Sequence, residues 1–427
     1  MSDTKVFSLE GKVLKLDSAE DIEPHIKDLK ANDDVEEVRF LGNTLGIGAS
    51  EALAKVLETK NKLQVANFAD VFTGRLLSEI PPALAALLTS LLTLPDLHTV
   101  NLSDNAFGLN TQAPLVDFLS QHVPLRHLIL NNNGLGPAAG VLVAEALTKL
   151  AEKKEAARRE GKVVPNLETV ICGRNRLENG SMAAWATAYA AHNKIKEIKM
   201  VQNGIRQEGI THLLTNGLSH ATELNILDLQ DNTFTATGAK ALSNVVGKWT
   251  ELKELGVGDC LLSARGGVAL ANALQKGKHT KLEVLRLQFN EITSKGIKGL
   301  ADAHTALPAL RRIELNGNRF EEEDPSIEKL REVLEARKEA ADGVGEDDEE
   351  YWGIDELDEL EEESDDEEDE DEDAKAGSDE EEEGVNVEEK AARQIIADQE
   401  AEDENVPQEK DQKVDDLADA LAKTEIK

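Results

Sequence analysis

The chain has 427 residues, only 3% of them aromatic, and a formal net charge of −37. So few rings leave Leu, Ala and Val to fill the interior, which suits thin stacked layers better than a sandwich. The charge is concentrated: residues 346–383 hold 26 Asp and Glu against one Lys, whereas residues 1–345 carry a net of only −5. A chain without a basic stripe cannot neutralise a phosphate backbone, so direct nucleic-acid binding is excluded as a function class. Two cysteines, Cys172 and Cys260, are too few for a disulfide framework or a zinc set and read as buried free thiols of a reducing compartment. No run approaches ~18 apolar residues, so no membrane span is expected. The start, MSDTKVFSLEGKVLKL, has no apolar signal-peptide core.

In chain order, residues 1–34 read as an N-terminal cap and residues 35–342 as a repeat array with a closing helix. The clearest unit is LRHLILNNNGLG, where Leu125, Leu128, Leu130, Asn133 and Leu135 follow the spacing L-x-x-L-x-L-x-x-N-x-L of a leucine-rich repeat. Leu128 and Leu130 alternate along a short strand and share a face. Asn133 falls where the chain turns, and its amide has donors and an acceptor for buried backbone groups. Ten such units begin at 35, 63, 97, 125, 167, 195, 224, 252, 282 and 310. Their turn positions hold Asn43, Val71, Asn105, Asn133, Asn175, Asn203, Asn232, Cys260, Asn290 and Asn318. The prevailing period of 28–29 residues leaves room for a helix after each strand, as in EALAKVL, AAGVLVAEALTKL, EGITHLLTNGL, TGAKALSNVV, GGVALANAL and KGIKGLADAH. The predicted fold is an α/β leucine-rich repeat solenoid, a crescent of about ten units of ribonuclease-inhibitor type.

Two units are longer. The 34-residue unit places Val71 where asparagine is expected and follows it with FTGR, Phe72–Arg75; Pro81 and Pro82 then suit a first helical turn. The 42-residue unit carries LAEKKEAARREGKVVPN, expected to be a solvated, charged protrusion. Residues 343–384 read as a disordered acidic tail, and residues 385–427 as an acidic, mostly disordered segment. The latter ends in VDDLADALAKTEI, either a short amphipathic helix or a leucine-type export signal.

No phosphate loop, H-E-x-x-H, nucleophile elbow or metal-ligand spacing is present, and the nine histidines lie scattered. A binding surface is therefore the expected function. Its candidate is the position just before each ladder residue: Asp104, Asn132, Arg174, Gln202, Asp231, Asp259 and Phe289. Stacking should align these side chains as a row of mixed sign along one rim, suited to a protein partner.

The stretches FTGR, LSDNAFG, NNGLGP, ICGRNRLENGSM, MVQNGIR, LDLQDNTFT, CLLSARG and ELNGNRF, together with the acidic tail, resemble the Ran GTPase-activating protein family in its short form. The resemblance covers essentially the whole chain and includes residues that a repeat framework does not need. It implies activation of a Ran-type GTPase in trans, in support of nucleocytoplasmic transport. The GTPase is in its GTP-bound state, alone or with a Ran-binding protein. Asn132 would position that GTPase's own glutamine, without an inserted arginine finger. Arg75 and Asp231 would be interface residues, beside Asp104, Arg174, Gln202 and Asp259 of the row. A lysine that relatives carry two residues after the arginine is Leu77 here. The chain would then be an activator rather than an enzyme, with no metal or cofactor of its own, since GTP and magnesium belong to the partner. It would be monomeric, cytoplasmic and kept out of the nucleus by an export signal. The competing readings are a leucine-rich inhibitor or scaffold, which lacks the FTGR loop and acidic tail, and an acidic histone-binding repeat protein, which has fewer and shorter repeats.

Overall fold

The computed structural model describes residues 5–341 and 351–361. Fourteen short strands are present among them: β1 (Val6–Ser8), β2 (Lys15–Leu16), β3 (Glu37–Arg39), β4 (Thr44–Leu45), β5 (Val65–Asn67), β6 (Thr99–Asn101), β7 (His127–Ile129), β8 (Thr169–Ile171), β9 (Glu197–Lys199), β10 (Ile226–Asp228), β11 (Glu254–Gly256), β12 (Val284–Arg286), β13 (Arg312–Glu314) and β14 (Gly353–Ile354). Twelve of them form one sheet in the order β1-β3-β5-β6-β7-β8-β9-β10-β11-β12-β13-β14, all parallel, while β2 and β4 pair separately. The register never slips. The middle residues Ala66, Val100, Leu128, Val170 and Ile198 stand opposite one another in successive strands and are all buried. Alternation then leaves the flanking residues of each strand on the open face.

Each strand is followed by a turn and then by helix, so the helices line the other face. The anticipated apolar helical stretches lie in the helices Ile47–Leu57, Gly136–Arg159, Thr235–Val245, Ser263–Leu274 and Ser294–Asp302. The stretch EGITHLLTNGL is different: its α-helix Gln207–His212 widens into a π-turn over Leu213–Gly217. There Gly217 presses on Ala186, and an added Cβ would sit 2.7 Å from the Ala186 Cα. Pro81 and Pro82 lie in the first turn of the helix Ile80–Leu91, where a missing N–H leaves no bond unmade.

Both ends of the array reach further than the sequence pattern suggests. Within the expected cap, β1 pairs with β3 in the sheet's register, and Leu9 occupies the place of Phe40 one coil earlier. At the other end, YWGIDELDELE (351–361) lies inside the stretch expected to be tail, yet it forms a further coil, the last among the described residues. β14 pairs with β13, the Asp355 carboxylate accepts from the Leu315 and Asn316 N–H groups at 2.6 and 3.0 Å, and Arg311 lies 6.0 Å over the Trp352 ring. No asparagine stands in the turn of this coil, which is why the repeat spacing does not reveal it. The remainder of the acidic tail and VDDLADALAKTEI lie outside the described residues.

The charged extension after Leu150 is not simply solvated either. The Lys154 side chain is buried, and its Nζ donates to the carbonyls of Val123, Leu125 and Pro165 at 2.6, 2.7 and 2.9 Å. Burial pushes this ammonium down to about 7. Arg158 holds the same return loop through the Pro165 carbonyl and the Asn166 side chain. One face of the long helix is thus tied to the array while Lys149, Glu152 and Lys153 on the other meet solvent.

Lys154 belongs to a set that spacing alone did not disclose. At the turns from helix back to strand, one side-chain donor per coil often reaches a carbonyl of the preceding coil. Lys60 bonds Lys30 O at 3.2 Å, and the His122, His192 and His279 Nε2 atoms bond Leu97 O, Leu147 O and Val246 O at 2.7–2.8 Å. Trp249 Nε1 donates to Leu218 O at 2.9 Å. Burial pushes both the His122 and the His192 imidazoles down to about 4, so they stay neutral.

Candidate functional site: the strand-to-helix rim

The opposite edge is built from one repeated bond set. In each regular turn the ladder asparagine points inward and ties its own coil to the preceding one. Asn133 Nδ2 donates to Leu130 O at 3.0 Å and to Leu102 O at 3.1 Å, while its Oδ1 accepts from Asn105 N at 2.8 Å. Asn105 serves Val71 N, Asn175 serves Asn133 N, Asn203 serves Asn175 N, and Asn232 serves Asn203 N in the same way. Asn290 and Asn318 repeat the pattern for Cys260 and Asn290, and Asn43 does so for Leu14. Cys260 supplies only long contacts to Leu229 O (3.5 Å) and Gly258 O (3.3 Å). Burial raises the Cys260 and Cys172 thiols to about 12, leaving both unreactive.

To turn the ladder residue inward while its predecessor still donates to the next coil, the backbone must enter the left-handed region one residue earlier. The φ values are +62° at Asp104, +53° at Asn132, +56° at Arg174, +54° at Gln202, +55° at Asp231, +51° at Asp259 and +54° at Phe289. Gly11, Gly42, Asp70 and Gly317 extend this row toward both ends. The row is therefore a backbone feature before it is a chemical one. Asp, Asn and Gly tolerate this conformation, whereas Arg, Gln and above all Phe do so less readily. The turn accounts for the Asp and Asn members and leaves Arg174, Gln202 and Phe289 without a local reason.

The structure brings Asp104, Asn132, Arg174, Gln202, Asp231 and Asp259 together as one file on successive coils; all are exposed except the half-buried Asp231. Asn132 Nδ2 donates to Asp104 Oδ1 at 2.8 Å across the coils. That bond orients the amide and leaves its carbonyl oxygen and second N–H for a partner. The neighbouring Asn132 N–H is held by Gly173 O at 2.9 Å, so both backbone and side chain are fixed before anything binds.

Arg75 sits elsewhere than an interface residue should. Its side chain is only 5% exposed. Nε donates to Thr44 Oγ1 at 2.9 Å, Nη2 to the carbonyls of Thr44 (3.0 Å) and Leu16 (3.2 Å), and Nη1 to Asp17. This guanidinium ties the first coil to the second beside Val71, the coil without a ladder asparagine. What the FTGR loop offers to solvent is Leu76, 68% exposed, and Leu77, 64% exposed. Two further apolar residues stand on the same rim, Leu261 and Phe289. Sequence reasoning placed Phe289 in the row but gave the apolar rim residues no role. Their signal was an apolar residue in a position that other coils fill with a polar one.

The grooves of 340, 420 and 360 Å³ around Lys154, Thr211 and Leu88 open between helices and include no row residue. Among the described residues no group of three or more His, Cys, Asp or Glu is placed to hold a metal ion, and no helix is long and apolar enough to cross a membrane. A fixed, exposed polar ridge on a leucine-rich repeat solenoid defines a macromolecule-binding scaffold.

Comparison with known proteins narrows this class. The family model described as Leucine Rich repeat matches residues 220–243 and 278–301. Over 335 residues the chain is 39% identical to Ran GTPase-activating protein 1 of Saccharomyces cerevisiae, covering 76% of this chain and 81% of that one. It is 38% identical over 320 residues to the Ran GTPase-activating protein of Drosophila melanogaster (74% and 53% covered) and 39% identical over 202 residues to Ran GTPase-activating protein 1 of Xenopus laevis (47% and 34%). The chain thus spans most of the yeast relative and about a third to a half of these two animal ones. A crystal structure of an internalin from Listeria monocytogenes covers 71% of this chain and 81% of its own, at 14% identity and a TM-score of 0.38. The chain belongs to the Ran GTPase-activating protein family.

Proposed function

We propose that this protein activates a Ran-type GTPase in its GTP-bound form, and that the rim centred on Asn132 is where it does so. The observation that carries the reading is the geometry of Asn132. An amide already tethered to Asp104 presents an outward carbonyl oxygen, and that oxygen can accept an N–H from a partner's glutamine side chain. A glutamine so held orients an attacking water, and an amide fixed beforehand needs no reorganisation at the moment of reaction. Asp231 and the other row residues make the surrounding contacts.

The arginine is absent from this mechanism as a finger. Arg75 uses four of its donors within the fold, so its contribution is to hold the FTGR loop and the first coils in place. The nucleotide, magnesium and glutamine belong to the GTPase. The activator works as a monomer in the cytoplasm, on its own or with a Ran-binding protein, in support of nuclear transport. The test is single-turnover hydrolysis by a GTP-loaded Ran-type GTPase with and without this protein. Acceleration by several powers of ten is expected; an unchanged rate would end the reading.

A further inference from the structure

Phe289 and Leu261 are out of place by the rules of the turn that holds them. Phe289 adopts φ +54° and Leu261 φ +54°, a region in which bulky residues are uncommon. Both remain exposed, at 41% and 45%. Exposed residues in costly backbone conformations, with no return from their own core, point to a use outside the chain.

The surroundings hold the ring still. The Phe289 N–H donates to Asn316 O at 2.8 Å. Gly317 on the next coil has no side chain, and an added Cβ there would stand 2.0 Å from Phe289 Cδ1. The ring therefore lies in the space that the next row member would have filled. On the other side the row continues with Asp259 and Asp231. The two coils form a small checkerboard, with Asp259 and Leu261 flanking Cys260, and Phe289 and Glu291 flanking Asn290.

We infer that Phe289 and Leu261 are a second anchor for the same GTPase, which receives a lysine or arginine side chain from its surface. This rests on the proposed function above. The aliphatic stem of such a side chain packs on the ring and on Leu261, and its charge lies against the face of the ring and the Asp231 and Asp259 carboxylates. Dimensions agree. Adjacent coils are about 4.8 Å apart, so Asn132 and Phe289, five coils apart, are separated by about 24 Å, and Leu77 and Phe289 by about 34 Å. A compact domain of about 150 residues is about 38 Å across, so one GTPase seated over Asn132 reaches both apolar ends of the rim. Leu77 and Phe289 then stand on either side of the polar centre.

The experiment uses the full chain and a GTP-loaded Ran-type GTPase. Phe289→Asn is the decisive variant, because asparagine suits the left-handed turn better than phenylalanine does. KM for stimulated hydrolysis should rise about tenfold, the loss expected on removing an aromatic anchor. The kcat should stay within about twofold, because the anchor contributes equally to ground and transition states. The melting temperature should hold or rise. Leu261→Asn should act in the same direction with a smaller effect, and Asp259→Asn should raise KM and weaken its dependence on salt. An unchanged KM in Phe289→Asn, or a drop in melting temperature with no change in KM, would reduce the ring to a cover for Gly317 and overturn the inference. If the wild-type chain neither binds nor stimulates the GTPase, the functional reading itself falls, and the anchor with it.

Discussion

The two edges of the crescent solve the same problem in different ways. Each must carry the chain from one face of the coil back along the other and satisfy buried backbone groups while doing so. On the strand-to-helix edge one residue type, asparagine, serves both its own coil and the neighbour, and the residue before it is pushed into solvent. On the helix-to-strand edge Lys60, His122, Lys154, His192, Trp249 and His279 supply a donor alone, and each does so buried or nearly so. An inward amide that both donates and accepts leaves its predecessor free for another task. A lone inward donor leaves nothing displayed. The edge with the uniform chemistry is therefore the one that can carry a function.

The largest test of this contrast is acid. His122 and His192 are held neutral down to about pH 4, whereas the unfolded chain takes up these protons near 6.5. Between those values the unfolded state binds more protons, so stability should fall as pH drops through that window, by up to about 3 kcal/mol for each histidine. Melting curves from pH 7 to 4 should show this slope, and a double His122→Gln, His192→Gln variant should flatten it. An identical slope in the variant would assign the acid sensitivity to carboxylates instead. Next comes Asn132→Ala, which should lower the stimulated single-turnover rate by at least ~10²-fold, about 2.7 kcal/mol, with an unchanged melting temperature. Its neighbour should do the reverse: Asn133→Ala should lower stability by about 1–3 kcal/mol as buried groups lose their partners. If both variants lost rate and stability alike, the division of labour between adjacent asparagines would be wrong. The smallest effect expected is a gain. Cys260→Asn restores a ladder amide at nearly constant volume and should stabilise the array by about 0.5–1 kcal/mol in chemical denaturation.

The period made most of the asparagine edge legible, because a bond set that repeats every coil forces the same letter into the same place. The other edge was hidden because only the donor recurs, carried by three residue types. The trace was there in the positions of His122, His192 and His279, each three residues before the apolar residue that opens the next repeat, Leu125, Ile195 and Leu282. The end coils escaped for a related reason. VFSLEGKV and GIDELDELE pair like their neighbours but lack the turn asparagine on which the repeat spacing rests. The bonds of Arg75 were hidden because a sequence shows which residue is charged, not whether its charge is already answered; the Asp17 carboxylate that answers it is 58 residues away. The polar row was found, but the left-handed backbone that favours Asp and Asn there could not be seen without coordinates.

A stack in which every coil fits the next has no intrinsic length. Among the described residues β14 is paired on one side only, and an unpaired strand edge can in general accept another strand. Nothing in the leucine framework forbids that. Asp355, Asp358 and Glu361 fasten the coil 351–361 to Leu315, Asn316 and Arg319. The acidity that begins at this end of the chain is thus also a fastener: it closes the described stack with charged bonds that a leucine framework alone would not supply.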